Sequence, residues 1–286
     1  MSDVKTFINQ SIRVRIRRPH QVPSKTMLQI KVAIELASLK LPFKQALLTA
    51  AQLGAEAVEI DGRNELSTAE LSRTGVRQVR KMLEDLNLRL SAVSFRTRRG
   101  YNVIDDLDRR VDATKQALKL AYDLGTNVVI NHIGRVPPAE DVQGLTTLRT
   151  ALMDLGREGQ RVGAFLAAET GTESGADLRK LIDSLPPSSL LVDLNPANLI
   201  VHGFDAREAA QALGAYVVHV HATDGTRDVA AGRGIEVPLG RGSAEFPEIL
   251  GALEEHQYRG YLTIRRQDAD NPIEEIAAAV KYLRAL

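Results

Sequence analysis

Cysteine and tryptophan are both missing from the 286 residues, and aromatic side chains make up only 4%. Without cysteine there can be no disulfide, thiolate metal site, Fe–S cluster or cysteine nucleophile. No apolar run reaches the roughly 18 residues that a membrane-spanning helix needs, so no membrane partner is expected. A strong net charge is missing too: the balance is +1, with six Lys and Arg in the first 28 residues against Asp3 alone, leaving a mildly acidic remainder. Such a body lacks the basic face of a nucleic-acid-binding protein, and no nucleic-acid partner is expected.

The basic arm reads Ser11-Ile-Arg-Val-Arg-Ile-Arg-Arg18, followed by Pro19 and Pro23. It has no apolar core and no small-residue cleavage site, so it does not read as a secretory signal, and a cytoplasmic location is expected. Three readings stand: a disordered tail, an anion-binding or targeting arm, and a strand-like segment that docks on another subunit. The expected division is an extension over 1–26 and one folded domain over 27–286.

From Met27 onward a short β-branched run and an amphipathic segment alternate. Strands are expected at Gln29–Glu35, Ala57–Asp61, Leu88–Phe95, Asn127–His132, Gly163–Glu169, Leu190–Asn195, Tyr216–His221 and Gly260–Arg265. Helices are expected at Pro42–Leu53, Thr68–Leu86, Val103–Leu124, Gln143–Gln160, Gly175–Ser184, Ala206–Leu213, Ala244–His256 and Pro272–Leu286. Gly54, Gly125 and Gly214 mark helix ends, and Ser67-Thr68 and Asp205 mark starts. Eight βα units in a chain of this length predict a single-domain α/β protein, a closed (β/α)8 TIM barrel of about 250 residues with a basic N-terminal extension. The first βα turn has no Gly-rich phosphate fingerprint, which argues against an open dinucleotide-binding sheet.

Barrel chemistry sits where the strands end. The polar residues there are Glu35, Glu59 and Asp61, Ser94 and Arg96, Asn131 and His132, Glu169, Asp193 and Asn195, His219 and His221, and Arg265. Alternation along each strand puts Glu169, Asn195, His221 and Arg265 on inward faces as a ring at the mouth, with Asp193 and His219 one layer deeper. Were the parity of the last strand reversed, Arg266 would point inward instead. Glu169 closes the apolar run Phe165-Leu-Ala-Ala168, and a carboxylate there needs a partner. Arg96, Arg98 and Arg99 with Gly100 read either as an anion site for a sugar phosphate or carboxylate, or as a solvated basic loop. The Gly-rich run Arg227 to Arg241 reads as a long mobile loop, a candidate lid.

Glu169-Thr-Gly-Thr-Glu173, Asn195-Pro-Ala-Asn198 with Gly203, His219-Val-His-Ala-Thr-Asp224, Val237-Pro-Leu-Gly-Arg-Gly-Ser243 and Gly260-Tyr-Leu-Thr-Ile264 follow one another at strand ends. In this order they resemble the xylose isomerase-like barrels, and within them the sugar phosphate isomerase/epimerase group. The resemblance implies one divalent ion held by Glu, Asp, His and Glu, with the two Glu residues moving a proton beside a carbonyl. Those four positions fall here on Glu169, Asn195, His221 and Arg265, so two of four depart from the pattern.

With a neutral His221 these four carry no net charge, where the family's set carries three negative charges. Arginine has donors only and cannot ligate a metal. No metal or other cofactor is therefore expected, with Arg265 standing where the ion would be. A Mn, Mg or Zn ion completed by Asp193 is the alternative. Glu169, His221 and Arg265 are the expected catalytic groups, with His132 and Asp193 as further substitutes for the missing second Glu. Asn195, His132, Asp193, His219, Arg96 and Glu59 are the expected substrate-binding groups. The resemblance implies a carbohydrate isomerase or epimerase acting on a small-molecule sugar. The alternative is a non-catalytic sugar-binding relative, and a metal-cluster nuclease of the related repair barrels fits the residues poorly. A homodimer is a fair default.

Overall fold

In the computed structural model, which describes residues 30–66, 71–228 and 233–286, eight short apolar segments pair side by side into a closed parallel barrel. They are β1 (Val32–Glu35), β2 (Ala57–Asp61), β3 (Arg89–Ser94), β4 (Val128–Asn131), β5 (Phe165–Glu169), β6 (Leu191–Leu194), β7 (Val217–Ala222) and, after a hairpin of β8 (Asp224–Asp228) and β9 (Arg233–Val237), β10 (Leu262–Ile264). Nearly every residue in the barrel strands is buried, as expected when one face meets the lumen and the other meets helices. The helices are α1 (Phe43–Gln52), α2 (Arg73–Asp85), α3 (Leu107–Leu124), α4 (Val142–Val162), α5 (Gly175–Asp183), α6 (Pro196–Val201), α7 (Ala206–Leu213), α8 (Phe246–Glu255) and α9 (Pro272–Arg284). All eight expected strands and helices are present, and the fold is a TIM barrel. The expected extension over 1–26, its boundary at Met27 and residues Ser67 and Thr68 lie outside the described residues.

Local chemistry explains most boundaries. Asp205 caps α7 by accepting the Glu208 N–H, and Ser174 does the same for α5 through Asp177 N–H. Gly125 ends α3 with φ 99°, in the left-handed region that glycine enters freely. The buried face of α3 runs through Val111, Leu118, Ala121 and Leu124 as its spacing predicts.

Three expectations need correction, and one needs refinement. The second helix starts at Arg73 rather than Thr68, with Ser72 as its cap. The third starts at Leu107 rather than Val103, after Asp106 at φ 52°. Gly214 does end α7 as expected, with φ −52° rather than in the left-handed region, and the chain continues into a tight 3-10 turn, Gly214–Tyr216. Glycine is needed there because any Cβ would collide with the His256 ring. Finally, the Gly-rich stretch after β7 is no shapeless loop, since β8 and β9 form an antiparallel ribbon with Asp224 opposite Val237. The buried Asp224 carboxylate fixes the ribbon's base by accepting backbone N–H groups of Gly225, Gly240, Gly242 and Ala244.

Barrel register places the polar strand ends side by side. Glu35 lies opposite Glu59, Glu169 opposite Asp193, Asp193 opposite His219, and His221 opposite Thr263. Among the described residues, no helix is long and apolar enough to cross a membrane.

Candidate active site

Two charge clusters fill the C-terminal end of the barrel, one above the other. The upper one centres on Glu169. Its Oε1 accepts from Arg265 Nη1, from Asn195 Nδ2 at 2.8 Å and from Asn198 Nδ2 at 3.0 Å. Its Oε2 accepts from Arg96 Nε at 3.3 Å, with His132 Nε2 at 3.5 Å. Both guanidiniums also reach Glu35, Arg96 Nη1 at 3.3 Å and Arg265 Nε at 3.7 Å from its Oε1, while Ser38 Oγ donates to Oε2 at 2.5 Å. Glu169 is fully enclosed and the Arg265 side chain is 7% exposed, whereas Arg96 is 24% and His132 42% exposed. Arg96 and His132 therefore form the outer, reachable edge.

Several elements aim these groups. Asn131 at the end of β4 accepts the Thr97 N–H at 2.9 Å and donates to Tyr101 Oη at 2.6 Å, which fixes the turn after β3 that carries Arg96. That turn presses on the next one so closely that any Cβ on Gly100 would strike Gly134, whose φ is 89°. Asn195 caps α6 with its Oδ1, which accepts the Asn198 N–H at 3.1 Å and the Thr223 hydroxyl at 2.7 Å. Its amide nitrogen is thereby turned toward Glu169. An Asp at this position would set two carboxylate oxygens against each other unless a cation lay between them.

The lower cluster is held by Asp193. It accepts from His219 Nδ1 at 2.8 Å and from His221 Nδ1 at 2.7 Å. His221 Nε2 contacts Glu59 Oε2 at 2.9 Å, and His219 Nε2 contacts Thr263 Oγ1 at 2.7 Å. His221 thus faces a carboxylate through each ring nitrogen and stands as an imidazolium. Burial alone would lower its pKa, but Asp193 and Glu59 push it up to about 10. The neutral His221 assumed from the sequence is accordingly corrected. Burial would raise Glu59, yet the His221 charge brings it down to about 2. Burial likewise works against ionised Glu169, and Arg265 and Arg96 overcome it, holding this carboxyl well below the usual range. His132 goes the other way: burial, with Arg96 and Arg265 nearby, lowers its pKa against the pull of Glu169.

The inward set expected from strand alternation is largely present. Glu169, Asn195 and Arg265 meet at the mouth, and Asp193 and His219 lie deeper. Arg266 faces outward, clasping Glu275 Oε2 at 2.7 Å and Glu236 Oε1 at 3.0 Å. His221 is hydrogen-bonded to Asp193 and Glu59, while its ligating atoms stay within 4.8 Å of those of Glu169 and Asp193. The basic trio separates as well: Arg96 turns inward, Arg98 is exposed, and Arg99 pairs with Asp105 at the surface. Glu35 and Asn198 belong to the site although neither was singled out as a site residue. The signal for Glu35 was available, a carboxylate closing the apolar run Val32-Ala33-Ile34.

The four family ligand positions do not suit a divalent ion. Glu169 already accepts from two guanidiniums and two amides, Asn195 presents its donor nitrogen, and Arg265 supplies a fixed positive charge. Two trios do bring ligating atoms within 4.8 Å of one another: Glu169, Asp193 and His221, and Glu59, His219 and His221. The first shares the saturated Glu169.

A cleft of about 950 Å3 opens between the loops that follow β4 and β5, lined by Arg135, Val136, Leu145, Thr172, Glu173 and Phe204 among others. These loops begin at His132 and Thr170, next to the upper cluster. A second, small cavity of about 10 Å3 is lined by Arg265 together with Thr223, Leu239 and Arg266 among others.

The family profile described as xylose isomerase-like TIM barrel matches residues 47–286. The chain belongs to this family. Among curated protein sequences none matches it significantly. Solved structures share the fold at low identity. A xylose isomerase domain protein from Planctomyces limnophilus is 22% identical with a TM-score of 0.78, covering 90% of this chain and 95% of that one. A family protein from Mycobacterium smegmatis in complex with magnesium is 17% identical with a TM-score of 0.71, covering 92% and 97%. A D-psicose 3-epimerase from Clostridium cellulolyticum H10, solved with D-tagatose, is 14% identical with a TM-score of 0.72, covering 90% and 99%.

Proposed function

We propose that this xylose isomerase-like barrel acts on a small sugar at its mouth, moving a proton beside the sugar's carbonyl with guanidinium charge in place of a divalent ion. One observation carries the reading. Arg265, at a family ligand position, is buried against Glu169 with Arg96 on that carboxylate's other oxygen. Arg96 Nη2 and Arg265 Nε are buried and have no hydrogen-bond partner among the described residues. Free donors on two cations suit an oxygen that gains negative charge as an enediolate forms.

The identity of the base shifts from the sequence-based expectation. Glu169 is tied through both oxygens and its low pKa makes it a weak base. His132 is neutral near pH 7, half exposed, and adjoins the Glu169 carboxylate. In this reading His132 takes the proton from carbon and returns it to the neighbouring carbon, while Glu169 anchors the cations. One base on one face favours aldose–ketose isomerisation over an epimerisation that needs a second base.

The experiment is incubation with aldoses, ketoses and their phosphates in D2O with a chelator present, followed by proton NMR. Exchange or conversion that vanishes in His132→Gln is expected. A second reading, a non-catalytic sugar-binding protein, is favoured by the saturation of Glu169. Ligand-induced thermal stabilisation with no exchange for any sugar would replace the first reading by the second.

A further inference from the structure

The lower cluster can do more than support the mouth. Glu59, His219 and His221 are buried side chains from two different strands, β2 and β7, whose ligating atoms converge. Asp193 accepts the Nδ1–H of both rings. A carboxylate behind each imidazole is the arrangement that orients metal-bound histidines and raises their basicity. His219 Nε2 faces the Thr263 hydroxyl, which can donate to it, so this nitrogen carries its lone pair toward Thr263 with Glu59 Oε2 3.7 Å away. Glu59 Oε1 is fully buried with no hydrogen-bond partner among the described residues. The Glu59 carboxylate meets both imidazoles through Oε2, and an orphaned buried oxygen on that same carboxylate is costly unless a cation satisfies it.

We infer that Glu59, His219 and His221 form a zinc-type site one layer below the mouth, with Asp193 as the carboxylate that orients both histidines. The distances fit. Tetrahedral donors about 2.0–2.1 Å from zinc lie about 3.3 Å apart. Glu59 Oε2 is 2.9 Å from His221 Nε2 and 3.7 Å from His219 Nε2, so shifts of a few tenths of an ångström satisfy both. The charges fit as well, because two carboxylates and two neutral imidazoles balance one divalent ion. The ion replaces the proton between His221 Nε2 and Glu59, and that proton leaves to solvent. Thr263 Oγ1 or a water completes four-coordination. The inference is independent of any turnover at the mouth.

The test is elemental analysis of full-length protein made in zinc-supplemented medium and purified without chelator, followed by zinc-edge X-ray absorption. One zinc per chain with two imidazole donors is expected. The same analysis of Glu59→Gln should show at least a tenfold loss of zinc, and of Glu169→Gln no loss. Should Glu59→Gln fail to fold, the wild-type donor count alone decides. Zinc-free wild type, or zinc with one imidazole or none, would overturn the assignment. Zinc lost on changing Glu169 rather than Glu59 would overturn it too, placing the ion at the mouth.

Discussion

Replacing Arg265 by Met removes the guanidinium and keeps most of the side-chain volume. It leaves Glu169 buried with Arg96, Asn195 and Asn198 as its remaining partners, and Glu35 with Arg96 and Ser38. Removing one partner of a buried ion pair costs about 3–5 kcal/mol, and the surviving donors place Arg265→Met near the bottom of that range, about 3 kcal/mol. At roughly 2–3 °C per kcal/mol for a domain of this size, the melting temperature should fall by about 6–9 °C. The pH dependence gives a sharper signature. Glu169 has a depressed folded pKa, so its contribution is present above the unfolded value of about 4.3 and is lost as pH falls through the folded one. The penalty of Arg265→Met should therefore be constant from pH 6 to pH 8 (approximate bounds) and shrink below about pH 4.3. Far-UV circular dichroism during urea unfolding is the assay, since the chain has no tryptophan. Arg265→Lys keeps the charge but cannot span Glu169 and Glu35, and should recover only part of the loss. A variant within about 0.5 kcal/mol of wild type, or a penalty independent of pH, would refute the claim that this guanidinium neutralises Glu169.

Three further outcomes follow from the structure. In chelator-treated protein both ring nitrogens of His221 should carry protons at neutral pH and titrate near 10, read by 15N NMR of the histidines. A raised histidine pKa stabilises below the unfolded value of about 6.5 and is lost as pH rises through the folded one, so metal-free protein should weaken from about pH 7 toward 10. Asp224→Ala removes the acceptor of four backbone N–H groups and should cost about 3 kcal/mol while exposing the β8–β9 ribbon to limited proteolysis, with cleavage mapped by mass spectrometry.

Much of this molecule was legible in its sequence because the barrel repeats one simple pattern. Apolar strands closed by a polar residue, then an amphipathic helix, gave the architecture without reference to any side-chain contact. Period-two alternation also placed Glu169, Asn195 and Arg265 inward and Arg266 outward, since a strand leaves only two directions. Alternation is silent on where a side chain turns once inside. His221 shares the inward face with His219, and its two ring nitrogens are taken by buried carboxylates, Asp193 and Glu59, that alternation alone does not pair with it. The arginines after β3 looked equivalent in sequence, but only Arg96 faces two buried carboxylates, and Arg98 and Arg99 remain at the surface. Glu35 was readable as a strand-closing acid, but its charged partners, Arg265 just past β10 and Arg96 in the turn after β3, lie far away along the chain. The ribbon after β7 was hidden by its glycines, which serve close packing here: Cβ atoms on Gly225 and Gly234 would crowd α6 and the partner strand.

The central claim is that Arg265 and Asn195 have replaced a cation site by an internal ion pair. It is tested most directly by soaking crystals of wild type and of Asn195→Asp/Arg265→Glu in Mn2+ and locating the ion by anomalous scattering. The account predicts a manganese peak among residues 169, 195, 221 and 265 in the double variant, and none at that place in wild type. Manganese bound there in wild type, with Arg265 swung away from Glu169, would contradict it.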